Sequence, residues 1–206
     1  MSERAVEHVV AWSADPDPER PLLVLLHGRG SDEQDLFSLA PLLPPVAVVA
    51  SVRAPYPLGP GFTWFAAGEP GLPDPEGAKA ATLDLLDWLD SLPAHGPAWL
   101  LGFSQGGAMV TQLLRFAPER FAAYVVLAGF SLDGEGPEDA RLERLRPRVF
   151  WGRDPADPVI PRFAIDRTDA WLPRHSTLTK REYPGVGHSI SREELDDVNR
   201  FLTESR

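Results

Sequence analysis

The sequence predicts an α/β fold with a mostly parallel sheet covered by helices on both faces. Two observations carry that reading. Short, continuously apolar runs bounded by turn residues recur along the chain, as strands buried on both faces require. Between them lie stretches with apolar residues at helical spacing, so strands and helices alternate. A third observation places the chemistry. Residue types suited to catalysis cluster just after the apolar runs, at the carboxyl ends of the strands, where such sheets bind ligands.

Taken in order, Val6 to Trp12 is expected to form a short edge strand, followed by a turn at 14–18. Pro21 to Leu26 is a continuous apolar run and reads as a buried strand. It leads into His27-Gly28-Arg29-Gly30-Ser31-Asp32, a glycine-rich loop, where Ser31 or Asp32 can cap a helix through Asp35 to Leu39. Val46 to Ala50 is the next buried strand. A long stretch rich in Pro, Gly and aromatic residues, Arg53 to Pro75, reads as a loop, and loops of that length are usually functional. Glu76 to Leu92 repeats Ala80, Leu83, Leu86 and Leu89 at helical spacing. Ala98 to Leu101 is the central strand, and a helical pattern runs from Ala108 to Phe116. Further strands are expected at Phe121 to Leu127, around Val149 to Trp151, and at Ser176 to Tyr183. Helices are expected at Ala140 to Leu145, at Arg162 to Leu172 (stopping before Pro173) and at Glu193 to Leu202.

Composition bounds the rest. With 206 residues and 43% hydrophobic content, one domain spanning residues 1–206 is expected. The net charge of −10 and the absence of a basic run argue against a nucleic-acid partner. No cysteine is present, which excludes disulfides and thiolate metal sites and suits the cytoplasm. The N-terminal stretch lacks the apolar core of a signal peptide. No segment is apolar for long enough to span a bilayer, so stable membrane insertion is not expected.

The strand at 98–101 meets Gly102-Phe103-Ser104-Gln105-Gly106 and then a helical pattern. That context is a nucleophile elbow: a sharp strand-to-helix turn that lifts a serine hydroxyl above the sheet. Gly102 and Gly106 are expected where a Cβ would strike neighbouring backbone. A serine hydroxyl needs a base, and a third group must orient the base. Of five histidines, His95 and His175 precede strands and fall at the wrong end of the sheet; His8 lies near the terminus. His27 directly precedes the glycine loop and is expected to shape it through backbone hydrogen bonds. His188, in Gly-Val-Gly-His-Ser between the last strand and the last helix, is the expected base. The acid should follow the strand ending at Trp151. Asp157 is favoured, and Asp154, before a proline, could instead start the turn. Two backbone N–H groups are expected to form an oxyanion hole, those of Gln105 and Arg29.

With Leu25-Leu26-His27-Gly28-Arg29-Gly30, the Ser104-Gln105-Gly106-Gly107 elbow, Asp157-Pro158-Val159-Ile160-Pro161 and Gly187-His188 in this order, the chain resembles an α/β-hydrolase. More narrowly it resembles the phospholipase/carboxylesterase family that includes the acyl-protein thioesterases. The resemblance covers nearly the whole chain. It assigns Ser104 as nucleophile, Asp157 as acid and His188 as base, with Arg29 and Gln105 forming the hole; a chain of 206 residues leaves little room for a large lid domain. It also likens Phe62-Thr63-Trp64-Phe65 to the family's Trp-Phe loop beside the acyl pocket, so Trp64, Phe65 and Phe130 are expected on the substrate side. The family more often has an apolar residue where Arg29 stands. The implied activity is cleavage of carboxylic esters, thioesters or lysophospholipid-like esters through an acyl-enzyme, with no metal or cofactor. An open site with modest chain-length selectivity is expected. The alternatives are an amidase on the same fold and a ligand-binding relative that does not turn over. The exposed aromatic loop is compatible with a homodimer.

Overall fold

Apolar strands that need cover on both faces assemble here into one seven-stranded sheet. The computed structural model describes residues 8–66 and 72–204. The strands are β1 (Val10–Trp12), β2 (Leu22–Leu26), β3 (Val48–Val52), β6 (Ala98–Phe103), β7 (Ala123–Leu127), β8 (Arg148–Arg153) and β9 (Thr177–Glu182). Between β3 and β6 the chain adds a separate hairpin of β4 (Tyr56–Leu58) and β5 (Gly61–Thr63). The helices are α1 (Glu33–Phe37), α2 (Pro75–Ser91), α3 (Gln105–Phe116), α4 (Asp139–Leu145), α5 (Arg162–His175) and α6 (Arg192–Thr203). The sheet order is β1-β3-β2-β6-β7-β8-β9; only β1 runs antiparallel to its neighbour.

Strand periodicity divides the core. Leu22, Val24 and Leu26 of β2 point to one face, beneath α2, α3 and α5. Leu23 and Leu25 point to the other, with Leu36 of α1 and Leu195, Val198, Phe201 and Leu202 of α6. Every residue of β2 is therefore buried, which is why it reads as an unbroken apolar run rather than an alternating one.

The order of the strands positions the site. From β2 the chain first moves outward to β3, then returns to place β6 on the opposite side of β2. The loops after β2 and β6 thus diverge at a topological switch point, where a crevice opens at the strands' carboxyl ends.

Most expected elements are present, with instructive differences. The expected strand at Val46 to Ala50 lies two residues later, because parallel pairing sets Leu22 against Val48 and Leu26 against Val52. Val46 is instead half exposed. The first strand covers only Val10–Trp12; Val6 lies outside the described residues. The expected loop from Arg53 to Pro75 contains the β4–β5 hairpin, turned at Gly59 with φ +58°. Residues 67–71 of that loop lie outside the described residues.

Helix α3 begins at Gln105 rather than Ala108, since Gly106 and Gly107 are helical residues packed against backbone rather than turn residues. Helix α5 continues through Pro173 to His175 instead of stopping before it. A proline in the last turn forfeits one hydrogen bond; the helix end is held instead by the Arg146 guanidinium, which donates to the free carbonyls of Pro173, Arg174 and Ser176 at 2.8–3.0 Å.

Candidate active site

Four loops at the carboxyl ends of β2, β6, β8 and β9 converge. The loop after β6 is the elbow. Ser104 has φ 55° and ψ −116°, a left-handed conformation that a residue with a side chain adopts only under constraint. The constraint is visible in its neighbours. A Cβ on Gly102 would lie 2.1 Å from the Gly106 carbonyl oxygen, and one on Gly106 would lie 1.8 Å from that of Leu26. The elbow therefore needs glycine on both sides to let α3 approach β2 and β6. Ser104 N–H donates to Leu127 O at 2.9 Å, which ties the turn to β7. Gly106→Ala is expected to destabilise the fold by at least about 3 kcal/mol, because backbone rather than a flexible side chain blocks the new methyl. Chemical denaturation would check this; a loss under about 1 kcal/mol would mean that the elbow has slack.

His188 follows β9 in a turn shaped by Gly185 and Gly187, both at positive φ. Its Nε2 lies 2.9 Å from Ser104 Oγ, and its Nδ1 lies 2.7 Å from Asp157 Oδ2. The ring packs on Phe103, with centroids 4.9 Å apart. The Asp157 side chain is 1% exposed, and its Oδ1 accepts from the amides of Val159 and Ile160. One carboxylate oxygen thus fixes its own loop while the other faces the imidazole.

Asp154, the competing acid, does a different job. Its Oδ2 accepts from the Gly187 amide at 2.6 Å and its Oδ1 from the Ala156 amide at 2.8 Å. These backbone donors hold its carboxyl below the usual carboxylate range. The side chain clamps the loop that carries Asp157 to the loop that carries His188. An aspartate before proline signals a turn, but nothing local indicates a partner 33 residues away.

His27 is fully buried. Its Nδ1 lies 2.7 Å from Gly28 O, and the Ala54 amide donates to its Nε2 at 3.0 Å. Burial lowers its pKa, so the ring is neutral. A neutral ring that accepts at Nε2 carries its proton on Nδ1 and donates it to Gly28 O. It shapes the glycine loop, as its position in the sequence suggests.

That loop is also held from the other side. Gly30 N–H donates to Phe62 O at 2.7 Å, and Phe62 N–H donates to Ser31 O. The Gly30 and Ser31 amides are thus used locally, the latter by Gly28 O. Among the described residues the Arg29 amide has no backbone acceptor. Gln105 is the first residue of α3, where an amide has no partner within the helix. Two backbone amides, of Arg29 and Gln105, are thus left without a backbone acceptor in the loops after β2 and β6.

The Gln105 side chain has a role that the sequence did not signal. Its Oε1 accepts from Thr63 Oγ1 and Trp64 N–H, and its Nε2 donates to Phe65 O. It stitches the aromatic loop to the elbow. Trp64 is fully buried and donates from Nε1 to His27 O at 2.8 Å. Phe65 and Phe130 are also buried in the core. None of these three expected substrate-side aromatics lines the cavity of about 510 Å³ beside Arg29. Among the described residues that cavity is lined by Arg29, Tyr56, Pro57, Leu58, Thr63 and Ala66, with Asp74 and Gly77 from the start of α2.

Beneath the site lies a buried acid, Glu194 of α6. It completes an N-terminal cap with Ser191, whose Oγ accepts from the Glu194 amide. Its Oε1 abuts Gly152 of β8 and has no hydrogen-bond partner among the described residues. Burial pushes its pKa from 4.5 up to about 7. The folded state therefore holds a proton that the unfolded state releases between those values, so stability falls as pH rises through that window. Glu194→Gln is expected to melt like wild type near pH 4 and to be stabler by up to about 3 kcal/mol at pH 8. Melting curves across pH would test this; a pH-independent difference would contradict it.

Comparison with known proteins identifies relatives of the chain. A family model described as phospholipase/carboxylesterase matches residues 91–206. The chain is 23% identical to acyl-protein thioesterase 1 of Kluyveromyces lactis, over 96% of this chain and 97% of that protein. The carboxylesterase from Mesorhizobium loti superposes with a TM-score of 0.78 at 25% identity, covering 90% of each chain. Esterase PE8 superposes with a TM-score of 0.78 at 26% identity, covering 96% of this chain and 98% of its own. With the elbow at the centre of an α/β-hydrolase sheet and the family match spanning more than half of its length, the chain belongs to the phospholipase/carboxylesterase family.

Proposed function

We propose that this protein is a serine hydrolase of carboxylic esters or thioesters, and that Ser104, His188 and Asp157 form its catalytic triad within one domain. The observation that carries the reading is the continuous relay from Ser104 Oγ through His188 to Asp157 Oδ2, with steps of 2.9 and 2.7 Å, mounted on a strained elbow.

In this mechanism Asp157 accepts from His188 Nδ1–H and leaves Nε2 free to take the Ser104 proton. Ser104 Oγ then attacks the acyl carbon. The carbonyl oxygen becomes an oxyanion held by the Gln105 and Arg29 amides, assisted by the N-terminal dipole of α3. The tetrahedral species collapses, His188 returns the proton to the departing alcohol or thiol, and an acyl-serine remains. Water, deprotonated by His188, attacks that ester. Its collapse releases the carboxylic acid and restores Ser104. Asp154 keeps the two loops in register throughout. Trp64 and Phe65 support the hole from behind, through His27 and the Gln105 side chain.

Among the described residues no helix is long and apolar enough to cross a membrane. Labelling with a fluorophosphonate, read by intact mass, tests the proposal. One adduct is expected on wild type and none on Ser104→Ala. Labelled protein that cleaves amides but not esters would favour the amidase reading. Well-folded protein that takes no label would favour a binding role.

A further inference from the structure

The mechanism uses the Arg29 backbone and leaves its side chain without a task. That side chain starts at a rigid point. Gly30 turns the chain at φ +80°, and its carbonyl packs so tightly on the hairpin that a Cβ on Gly61 would lie 2.1 Å from it. Arg29 is exposed and borders the cavity of about 510 Å³, whose size suits a small ligand. Its wall is largely apolar, formed by Pro57, Leu58, Ala66 and the ring of Tyr56.

Two other arginines near these loops have carboxylate partners. Arg53 forms a two-point pair with Glu33, and Arg153 pairs with Glu182. Among the described residues Arg29 has no such partner, although the chain carries ten more negative than positive charges. Asp74 lines the same cavity, but its two oxygens already accept from the Glu76 and Gly77 amides at the start of α2. An unneutralised guanidinium at the edge of a mainly apolar cavity, on the residue whose amide is the proposed oxyanion donor, is suited to holding a planar anion through paired hydrogen bonds.

We propose that Arg29 selects esters bearing a second carboxylate on the acyl part, that is, monoesters of short dicarboxylic acids. A singly charged carboxylate is favoured over a doubly charged phosphate because Asp74 and the overall negative charge oppose the larger one. The inference rests on the Ser104 reading for the place of the scissile bond.

The test compares the monoethyl esters of succinate, glutarate and adipate with ethyl esters of the matching monocarboxylic acids. Wild type is expected to favour at least one monoester in kcat/KM. In Arg29→Met the ratio of charged to neutral ester should fall by at least about tenfold, and Arg29→Lys should retain part of the preference. Added salt should shrink the ratio for wild type and leave Arg29→Met little changed. An equal loss on both classes would mean that only the oxyanion loop was disturbed, and the inference would be wrong. So would a wild-type preference for the neutral series throughout. Failure to cleave any ester would instead count against the triad. In that event calorimetric titration of Ser104→Ala with monoethyl adipate still decides the inference. A Kd raised at least about tenfold by adding Arg29→Met would support it, and an unchanged Kd would refute it.

Discussion

Ser104→Ala is expected to lower kcat for ester hydrolysis by about ten-thousandfold or more while the protein stays folded. The size follows from the role. Without Oγ there is no acyl-enzyme, and only the hole and binding contacts remain to assist attack by water. The fold should persist because alanine keeps the Cβ and the backbone hydrogen bond from residue 104 to Leu127 O. Alanine does not relieve the strain of φ 55°, so its stability should stay close to that of wild type. Ser104→Gly separates the two properties. It removes the nucleophile equally, yet glycine accepts positive φ, and the variant should be stabler by about 1–2 kcal/mol. Esterase assays and thermal melts on both variants check the pair. Retention of more than about a tenth of wild-type activity by Ser104→Ala would remove Ser104 from the mechanism.

Asp157→Asn is expected to cost about a thousandfold to ten-thousandfold in kcat, against a far smaller loss for Asp154→Asn. Both residues follow β8 and both are acidic, but their partners differ. Asp157 faces the imidazole, so an amide there can present an N–H to Nδ1 and leave the proton on Nε2, where it blocks the Ser104 hydroxyl. Asp154 touches only backbone amides. Asparagine keeps one acceptor oxygen and loses the other, so one of the two loops loosens. A loss of about tenfold in kcat is expected, with about 1–2 kcal/mol of stability. Kinetics with one ester substrate, together with denaturant midpoints, would distinguish the roles. Should Asp154→Asn prove the more damaging to kcat at equal folding, the acid assignment would have to be exchanged.

The two aspartates also mark where sequence reasoning stopped. Asp157 and Asp154 are three residues apart in one loop, and their local signals overlap. Only the placement of the β9–α6 loop decides which carboxylate meets His188 and which meets the Gly187 amide. The same holds for Gln105. Its backbone role follows from its position after the serine, whereas its side-chain bonds to Thr63, Trp64 and Phe65 depend on a segment about 40 residues earlier. The aromatic loop likewise depends on distant segments. Trp64 and Phe65 look like pocket residues in a Pro/Gly-rich stretch, yet both are buried as supports, and the cavity wall comes from the hairpin before them.

What the sequence determined by itself was the alternation of strands and helices, the elbow and the order of its chemical groups. Those features are local: an unbroken apolar run needs cover on two faces, and Gly102 and Gly106 are demanded by the turn they flank. Tertiary structure alone decided the two-residue shift of β3, the continuation of α5 through Pro173, the division of labour between Asp154 and Asp157, and the unpaired state of Arg29. Each of these depends on a partner distant in the chain: the register with β2, the guanidinium of Arg146, the His188 loop, and the absence of a facing carboxylate among the described residues. A residue's own pattern states what it can bond to, and only the packing of other segments determines which bond it makes.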